Sequence, residues 1–354
     1  MKIPLLSAAV FIIVPLLSIP FLYARAEGEK PLSGEKIICI WSIDAQDPEA
    51  VDNAVDQARE LGFNAVCWDR PGVVASCHRR GMKACALFCP LGRREGAQMQ
   101  ELKAGEEKLP GFDRENIKPE QFYQHGGEPV EGNREILDQN FVCPNDPGVL
   151  EYTLKSVAQL MERGFDCVIF DFIGYRNYRS CECPLCRAKL EEFRKKHLGL
   201  SEQEAGDTFY RDVLIDLYET LYRETKARWP DLIIANHIHP AYLPDLFYAH
   251  RIMVDYCGVT VAWFFQPHWP LAKVREYTRK VVSGPYLNKG VEGMPMIGLY
   301  TDGEHTRDRK SPARLKQEFA ILKESGARHL VMCELGHILR DKELAAVVRE
   351  ELTK

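Results

Sequence analysis

Four stretches of this chain repeat one unit: a helix-like pattern ending in charged residues, then a glycine, then an apolar run. They are Arg59-Glu-Leu-Gly-Phe-Asn-Ala-Val66, Arg79-Arg-Gly-Met-Lys-Ala-Cys85, Glu162-Arg-Gly-Phe-Asp-Cys-Val168 and Lys323-Glu-Ser-Gly-Ala-Arg-His-Leu330. Glycine tolerates the left-handed conformation that closes an α-helix, and the apolar run after it reads as a buried strand. Each unit is therefore the joint between a helix and the next strand of a parallel sheet. A chain that repeats this joint alternates helices and strands, and few folds are open to it.

Strand-like runs occupy 36–42, 63–68, 82–88, 165–172, 231–237, 253–264, 294–301 and 328–334. They are almost continuously apolar, as strands covered on both faces must be. Helical patterns separate most of them; between Pro48 and Leu61, for example, Val51, Val55, Ala58 and Leu61 share one face. Eight such units predict a (β/α)8 TIM barrel, an α/β fold, with a doubly wound open sheet as the alternative. The 354 residues, 45% of them hydrophobic, supply the core of one large domain, expected over 27–354.

One connection is too long for that scheme. From 89 to 142, after the third strand, the chain is polar and rich in Gly, Glu and Pro, whereas a βα loop needs only ~2 to 6 residues. An insertion at the carboxyl end of a barrel strand sits at the mouth, so this one is expected to act as a lid. A second expansion, 181–229, reads as helical, with Leu214, Leu217, Tyr218 and Leu221 on one stripe.

Residues 1–26 read as an export signal: Lys2, an apolar run from Ile3 to Tyr23, and Ala24-Arg25-Ala26, which fits a small-x-small cleavage site. The domain is accordingly expected to be secreted or periplasmic. The same run is long enough to cross a bilayer, which takes ~20 residues, so an uncleaved segment would leave the domain membrane-anchored. A net charge of -5 and the lack of any long basic run argue against a nucleic-acid partner and suit a small neutral or polar substrate.

All 12 cysteines follow the signal. Cys39, Cys67, Cys85, Cys167, Cys257 and Cys333 each lie inside an apolar, strand-like run, where cysteine behaves as a small buried hydrophobe. Four others form a pattern: Cys143 opens Cys143-Pro-Asn-Asp-Pro147, and Cys181, Cys183 and Cys186 share Cys181-Glu-Cys-Pro-Leu-Cys186. Four thiolates suit a tetrahedral structural zinc; in an exported chain, two disulfides are the alternative. Four sulfurs leave no open coordination position, so the metal would fasten the end of the fourth strand rather than take part in chemistry.

The stretch from Cys143 to Leu198 resembles the family 42 β-galactosidases and related glycoside hydrolase-like barrels. The resemblance lies in Cys143-Pro-Asn-Asp-Pro before a helix and in Cys181-Glu-Cys-Pro-Leu-Cys-Arg-Ala-Lys-Leu-Glu-Glu-Phe-Arg-Lys-Lys-His-Leu198 after the fourth strand. It implies a structural zinc on Cys143, Cys181, Cys183 and Cys186. It also implies an Asn-Glu pair ending the fourth strand, with the Glu as acid/base, where this chain has Asp171-Phe172. The family's nucleophile, a glutamate ending the seventh strand, has only Asp302 and Glu304 as counterparts.

The carboxyl ends of the strands carry the chemistry of such a barrel. The first strand brings Trp41 and Asp44 there, the second Trp68, Asp69 and Arg70, and the fourth Asp171, Tyr175 and Arg176. The fifth adds His237 and His239, the sixth Trp263, the seventh Tyr300, Asp302, Glu304 and His305, and the eighth Glu334 and His337. Indoles stack on the C–H faces of sugars and acids accept hydroxyl hydrogen bonds, so the mixture suits a carbohydrate. Expected substrate contacts are Trp41, Trp68, Asp69, Tyr175, Arg176, His237, His239, Trp263 and Tyr300.

Glycoside hydrolysis takes two carboxyl groups, one protonated beside the leaving oxygen and one ionised. Asp171 is the expected acid/base, because it emerges from an apolar run that would favour a protonated carboxyl. Its partner is expected among Asp302, Glu304 and Glu334. The function expected is thus an exported glycoside hydrolase acting on an oligo- or polysaccharide, without an organic cofactor. Two other readings stand beside it: a non-catalytic carbohydrate-binding barrel in which Asp171 is locked in a salt bridge, and a metal-dependent hydrolase. The last uses His237-Ile-His239, since alternate residues of a strand point to one face.

Overall fold

The structure, a computed structural model, describes residues 36–103, 140–238, 242, 245–264, 268–283, 287–288, 290–299 and 309–354. Eight parallel strands close a barrel in sequence order: β1 (Ile38–Trp41), β2 (Ala65–Cys67), β3 (Lys83–Phe88), β4 (Cys167–Phe170), β5 (Ile233–His237), β6 (Tyr256–Thr260), β7 (Glu292–Gly298) and β8 (Leu330–Cys333). The last strand returns to the first, with Ile38 opposite Leu330 and Trp41 opposite Cys333. The TIM barrel is therefore the fold, and the open sheet is not.

The repeated joints explain the closure. Gly62, Gly81, Gly164 and Gly326 all have positive φ, between 67° and 99°. Each ends its helix in the left-handed conformation and turns the chain into the next strand. Helices α1 (Pro48–Glu60) and α2 (Val73–Arg79) follow β1 and β2; α3 (Gly148–Glu162) precedes β4. After β4 come α4 (Pro184–Lys196) and α5 (Glu202–Arg228), the latter opened by a capping box in which Ser201 and Glu204 satisfy each other's backbone N–H. A 3-10 turn (Tyr248–Arg251), α6 (Leu271–Val282), α7 (Pro312–Glu324), α8 (Leu335–Arg340) and α9 (Lys342–Thr353) complete the described elements. In α5, Leu214, Tyr218 and Leu221 of the expected stripe are fully buried, while Leu217 at its edge is half-buried.

Alternation along the strands divides the core in two. Cys39, Cys67, Cys85, Cys167, Ile169, Ala235, Tyr256, Met296 and Cys333 fill the barrel interior. Ile38, Ile40, Val66, Ala84, Val168, Phe170, Ile234 and Met332 face the helices. Five of the strand cysteines thus pack inside the barrel and Cys257 packs outside it, all as buried free thiols. The small volumes of Cys and Ala leave room for Met294, Met296 and Tyr256 from the facing strands, so large and small side chains interlock.

Strand boundaries shift at the two longest expected runs. The sixth strand ends at Thr260, although the Val261 N–H still donates to the Met296 carbonyl. The seventh begins at Glu292, ahead of the expected start, because this acid stays at the amino-terminal rim and accepts from His329 and Arg328. The stem of the 89–142 insertion is pinned by an antiparallel bridge between Met99 and Val142. Its middle, 104–139, and with it the expected lid, lies outside the described residues, as do residues 1–35 with the expected signal.

Candidate functional site

Strand parity decides which side chains reach the mouth. Trp41 continues the inward set of β1 from Cys39, and His237 that of β5 from Ala235. Asp171, one residue past β4, continues Cys167 and Ile169; Thr260 continues Tyr256. All four therefore converge on the carboxyl end of the barrel axis.

They are joined by contacts. Asp171 is 3% exposed, and its Oδ1 accepts the Phe172 N–H at 2.9 Å and lies 3.2 Å from His237 Nδ1. His237 Nε2 is 3.1 Å from the Thr260 hydroxyl, and the Trp41 indole and the imidazole meet in a T-shaped contact with centroids 5.3 Å apart. Among the described residues, both hydrogen bonds to the Asp171 carboxylate fall on Oδ1. His237 thus spans the site, with Nδ1 facing the Asp171 carboxylate and Nε2 the Thr260 hydroxyl. His239, the other half of that reading, lies outside the described residues.

The backbone around this group is unusual. Ser42 and Asp44 after β1 and Phe172 after β4 have φ of 70°, 47° and 55°. Non-glycine residues in the left-handed region cost about 1–3 kcal/mol each and gather where function constrains the chain.

Beside the group, Trp41, Trp68, Asp69, Arg70, Cys67 and Leu87 line a cavity of ≈ 240 Å³. The Trp68 Nε1–H donates to the Ala45 carbonyl at 2.8 Å, which fixes the ring between the loops after β1 and β2. Asp69 pairs with Arg163. Glu334 follows β8, the strand that pairs with β1, is partly exposed, and sits 2.9 Å from His337 Nε2. The remaining expected carboxylates, Asp302 and Glu304, and also Tyr300 and His305, lie outside the described residues.

Two expected substrate contacts are placed elsewhere. Tyr175 has no exposed surface; its hydroxyl donates to the Tyr210 carbonyl at 2.9 Å and its ring packs edge-on against Tyr210 and Tyr242. It belongs to the layer between barrel and helices, not to the mouth. Trp263 is buried in a stack with Phe264 and Trp269. Arg176 donates its backbone N–H to Gln100 on the insertion stem. Thr260 was legible only through the parity of Tyr256, Gly258 and Thr260.

Behind β4, the sulfurs of Cys143, Cys181, Cys183 and Cys186 lie within 4.8 Å of one another, all four fully buried. Cys143 Sγ is 3.3 Å from Cys186 Sγ and 3.5 Å from Cys183 Sγ. Zinc–sulfur bonds of ~2.3 Å give tetrahedron edges near ~3.8 Å, so the donor set fits a tetrahedral ion. Hydrogen bonds from the Cys143 and Cys186 thiols hold the Cys181 thiol well below the usual thiol range, while the other three are pushed up, Cys143 chiefly by its bond to Cys181 and Cys183 by burial, so without an ion the group shares one thiolate. The Asn145 side-chain amide donates to Cys186 Sγ at 3.3 Å, and backbone N–H groups of Asn145 and Cys186 point at Cys143 and Cys183 sulfurs, an outer layer that orients the ligands. Among the described residues this is the one cluster of metal-ligating side chains that converges.

No protein-family model and no curated protein matches the chain. Solved structures do match in fold. The glycoside hydrolase domain of PgaB (BpsB) from Bordetella bronchiseptica is 14% identical with a TM-score of 0.52, covering 90% of this chain and 98% of that one. A beta-galactosidase from Rahnella sp. R3 is 11% identical with a TM-score of 0.57, covering 91% of this chain and 56% of its own. A beta-galactosidase from Bacillus circulans sp. alkalophilus is 11% identical with a TM-score of 0.54, covering 89% and 56%. The chain thus shares the TIM-barrel fold of these proteins and spans little more than half the length of the two galactosidases.

Proposed function

We propose that the chain is an exported glycoside hydrolase acting on an oligo- or polysaccharide at the carboxyl end of its barrel. The observation that carries this reading is a junction: a cavity walled by two indoles abuts, through Trp41, the Asp171–His237 pair. The indoles bind the sugar, and Asp171 Oδ2 acts as acid/base on the glycosidic oxygen. His237 holds the carboxylate in place through Oδ1, so that Oδ2 need not reorganise during the reaction. Glu334, at the end of β8 opposite β4 in the ring of eight, is the second carboxyl, with Asp302 and Glu304 as the alternatives from the loop after β7.

Turnover of a panel of oligosaccharides by Asp171→Asn and Glu334→Gln tests this. Losing a carboxyl acid/base is expected to lower turnover by about 10²–10⁴-fold with thermal unfolding unaltered. Asp171→Asn turning over like the parent would remove Asp171 from the mechanism. One observation favours a second reading, a non-catalytic carbohydrate-binding barrel: Asp171 is nearly buried and tied to an imidazole. That reading expects the parent chain to bind a glycan and leave it intact.

The four cysteines are proposed to hold a structural zinc, in keeping with the resemblance to family 42 around Cys143 and Cys181 to Cys186. With four sulfurs as donors, the ion would supply no Lewis-acid chemistry. Its contribution would be to fasten the loop after β4, which begins at Asp171, to the returning stem of the insertion.

A further inference from the structure

The cavity beside Asp171 has a charge as well as a shape, and the charge names a class of substrate. We propose that it takes a sugar unit bearing an anionic group, the carboxylate of a hexuronic acid or a sulfate ester, with Arg70 as the counter-charge. The proposal deepens the glycoside hydrolase reading and rests on it.

Among the described residues the lining carries two charged side chains, Asp69 and Arg70. Asp69 is already neutralised by Arg163, whose guanidinium also lies over the Phe165 ring, 5.0 Å from its centroid. Arg70 has no such partner: among the described residues no carboxylate lies within ion-pair distance of it, and its guanidinium rests over the Trp68 indole at 5.6 Å. Asp44 and Asp47 stand on the neighbouring loop, but Asp47 caps α1 through the Ala50 N–H and neither pairs with Arg70. The uncompensated charge in the cavity is therefore positive.

Its presentation is fixed in advance. Trp68 is held by the hydrogen bond from Nε1 to Ala45, so the platform under the guanidinium does not move. A planar guanidinium on a rigid indole offers parallel N–H donors, the geometry that carboxylates and sulfates accept two at a time. The volume of ≈ 240 Å³ falls below the ~300–1,000 Å³ of pockets for drug-sized ligands and so has room for one sugar unit. Trp41 forms the inner wall and touches His237, so this unit sits next to the bond being cleaved.

The test measures binding to the full chain by calorimetry. The probes are a short oligogalacturonate, its methyl ester, a sulfated oligosaccharide and an uncharged one of the same length. The acid is expected to bind roughly 10- to 100-fold more tightly than its ester, the range for a hydrogen-bonded charge. Arg70→Gln is expected to bring that ratio close to one, and Arg70→Lys to restore part of it. A preference for the sulfated probe that is lost in Arg70→Gln also supports the proposal and assigns the anion to sulfate. Equal affinity for acid and ester, or a preference that survives Arg70→Gln, overturns it. If Arg70→Gln does not fold, the parent's acid-to-ester ratio still decides. Neutral glycans bound or cleaved as well as acidic ones sink this inference alone; a chain that binds no glycan at all sinks the glycosidase reading with it.

Discussion

His250 is buried near the end of the 3-10 turn, and neither ring nitrogen has a hydrogen-bond partner among the described residues. Burial pulls its pKa down to about 4, so the native ring is neutral. An unfolded histidine takes a proton near pH ~6.5, and the native one does not until about pH 4. Stability therefore falls as pH drops through that window, by about 3 kcal/mol at ~1.4 kcal/mol per pH unit, and levels off below it. His329, also lowered by burial, adds a loss of the same sign. His250→Phe is expected to keep the edge-on contact with Phe247 and to remove most of the first contribution. Urea midpoints at pH 7 and pH 4.5 should lie closer together in the variant than in the parent; an unchanged gap would rule out His250 as the source. Nothing in Tyr248-Ala-His-Arg251 announces this residue, because burial of a polar ring is a property of packing and leaves no periodic trace in sequence. Asp171, Trp41 and His237 were legible for the opposite reason: each continues a period-2 apolar series that must point inward.

Elements were read best where a local rule and the global fold agree. All eight strands fall within the expected runs or within two residues of them, and the joint glycines carry the φ that the motif demands. Less visible was what holds an element in place. In α7, Glu318 occupies a position that reads as one more charge on a helix, yet it is fully buried. Its Oε2 accepts from Lys310 Nζ at 2.8 Å and its Oε1 from Arg314 Nε at 2.7 Å, and Arg314 reaches on to the Trp269 carbonyl at 2.6 Å. This network ties the start of α7 to the loop before α6, behind the wall formed by Trp263 and Trp269. Burial lowers the Lys310 pKa against the pull of Glu318, which marks the charge as one that survives on its partner. Glu318→Ala strands two cations, one of them in the interior, and is expected to cost about 3–5 kcal/mol. Glu318→Leu with Lys310→Met, which removes the buried pair together, should cost less. Chemical denaturation of both variants checks the order, and a double variant less stable than the single one would contradict it.

At the scale of the whole molecule, the four cysteines join parts of the chain that no strand connects. Cys143 closes the insertion stem, where its N–H donates to Gln98, and the Glu182 N–H donates to Glu101 on the outgoing side. Gln100 spans the same gap, its amide donating to the Gly174 carbonyl and its oxygen accepting from the Arg176 N–H. The cluster is thus the point where the insertion is fastened to the unit carrying Asp171. Spacing alone singled out the four cysteines that the structure brings together; it left zinc and disulfides as rivals, since both need sulfurs within a few ångströms. The two differ in what they leave measurable. With zinc, the purified chain carries one equivalent of metal, and in denaturant with chelator all 12 thiols react, as expected for cysteines that are every one free. Two disulfides within the group would remove four of those thiols and leave no metal. Cys183→Ser should lose the ion and about 3 kcal/mol or more of stability, a fall in Tm on the order of 5–10 °C for a domain of this size. If that variant keeps both its Tm and its metal, the fastening of the insertion to β4 rests on the backbone hydrogen bonds of Gln98 to Glu101 instead.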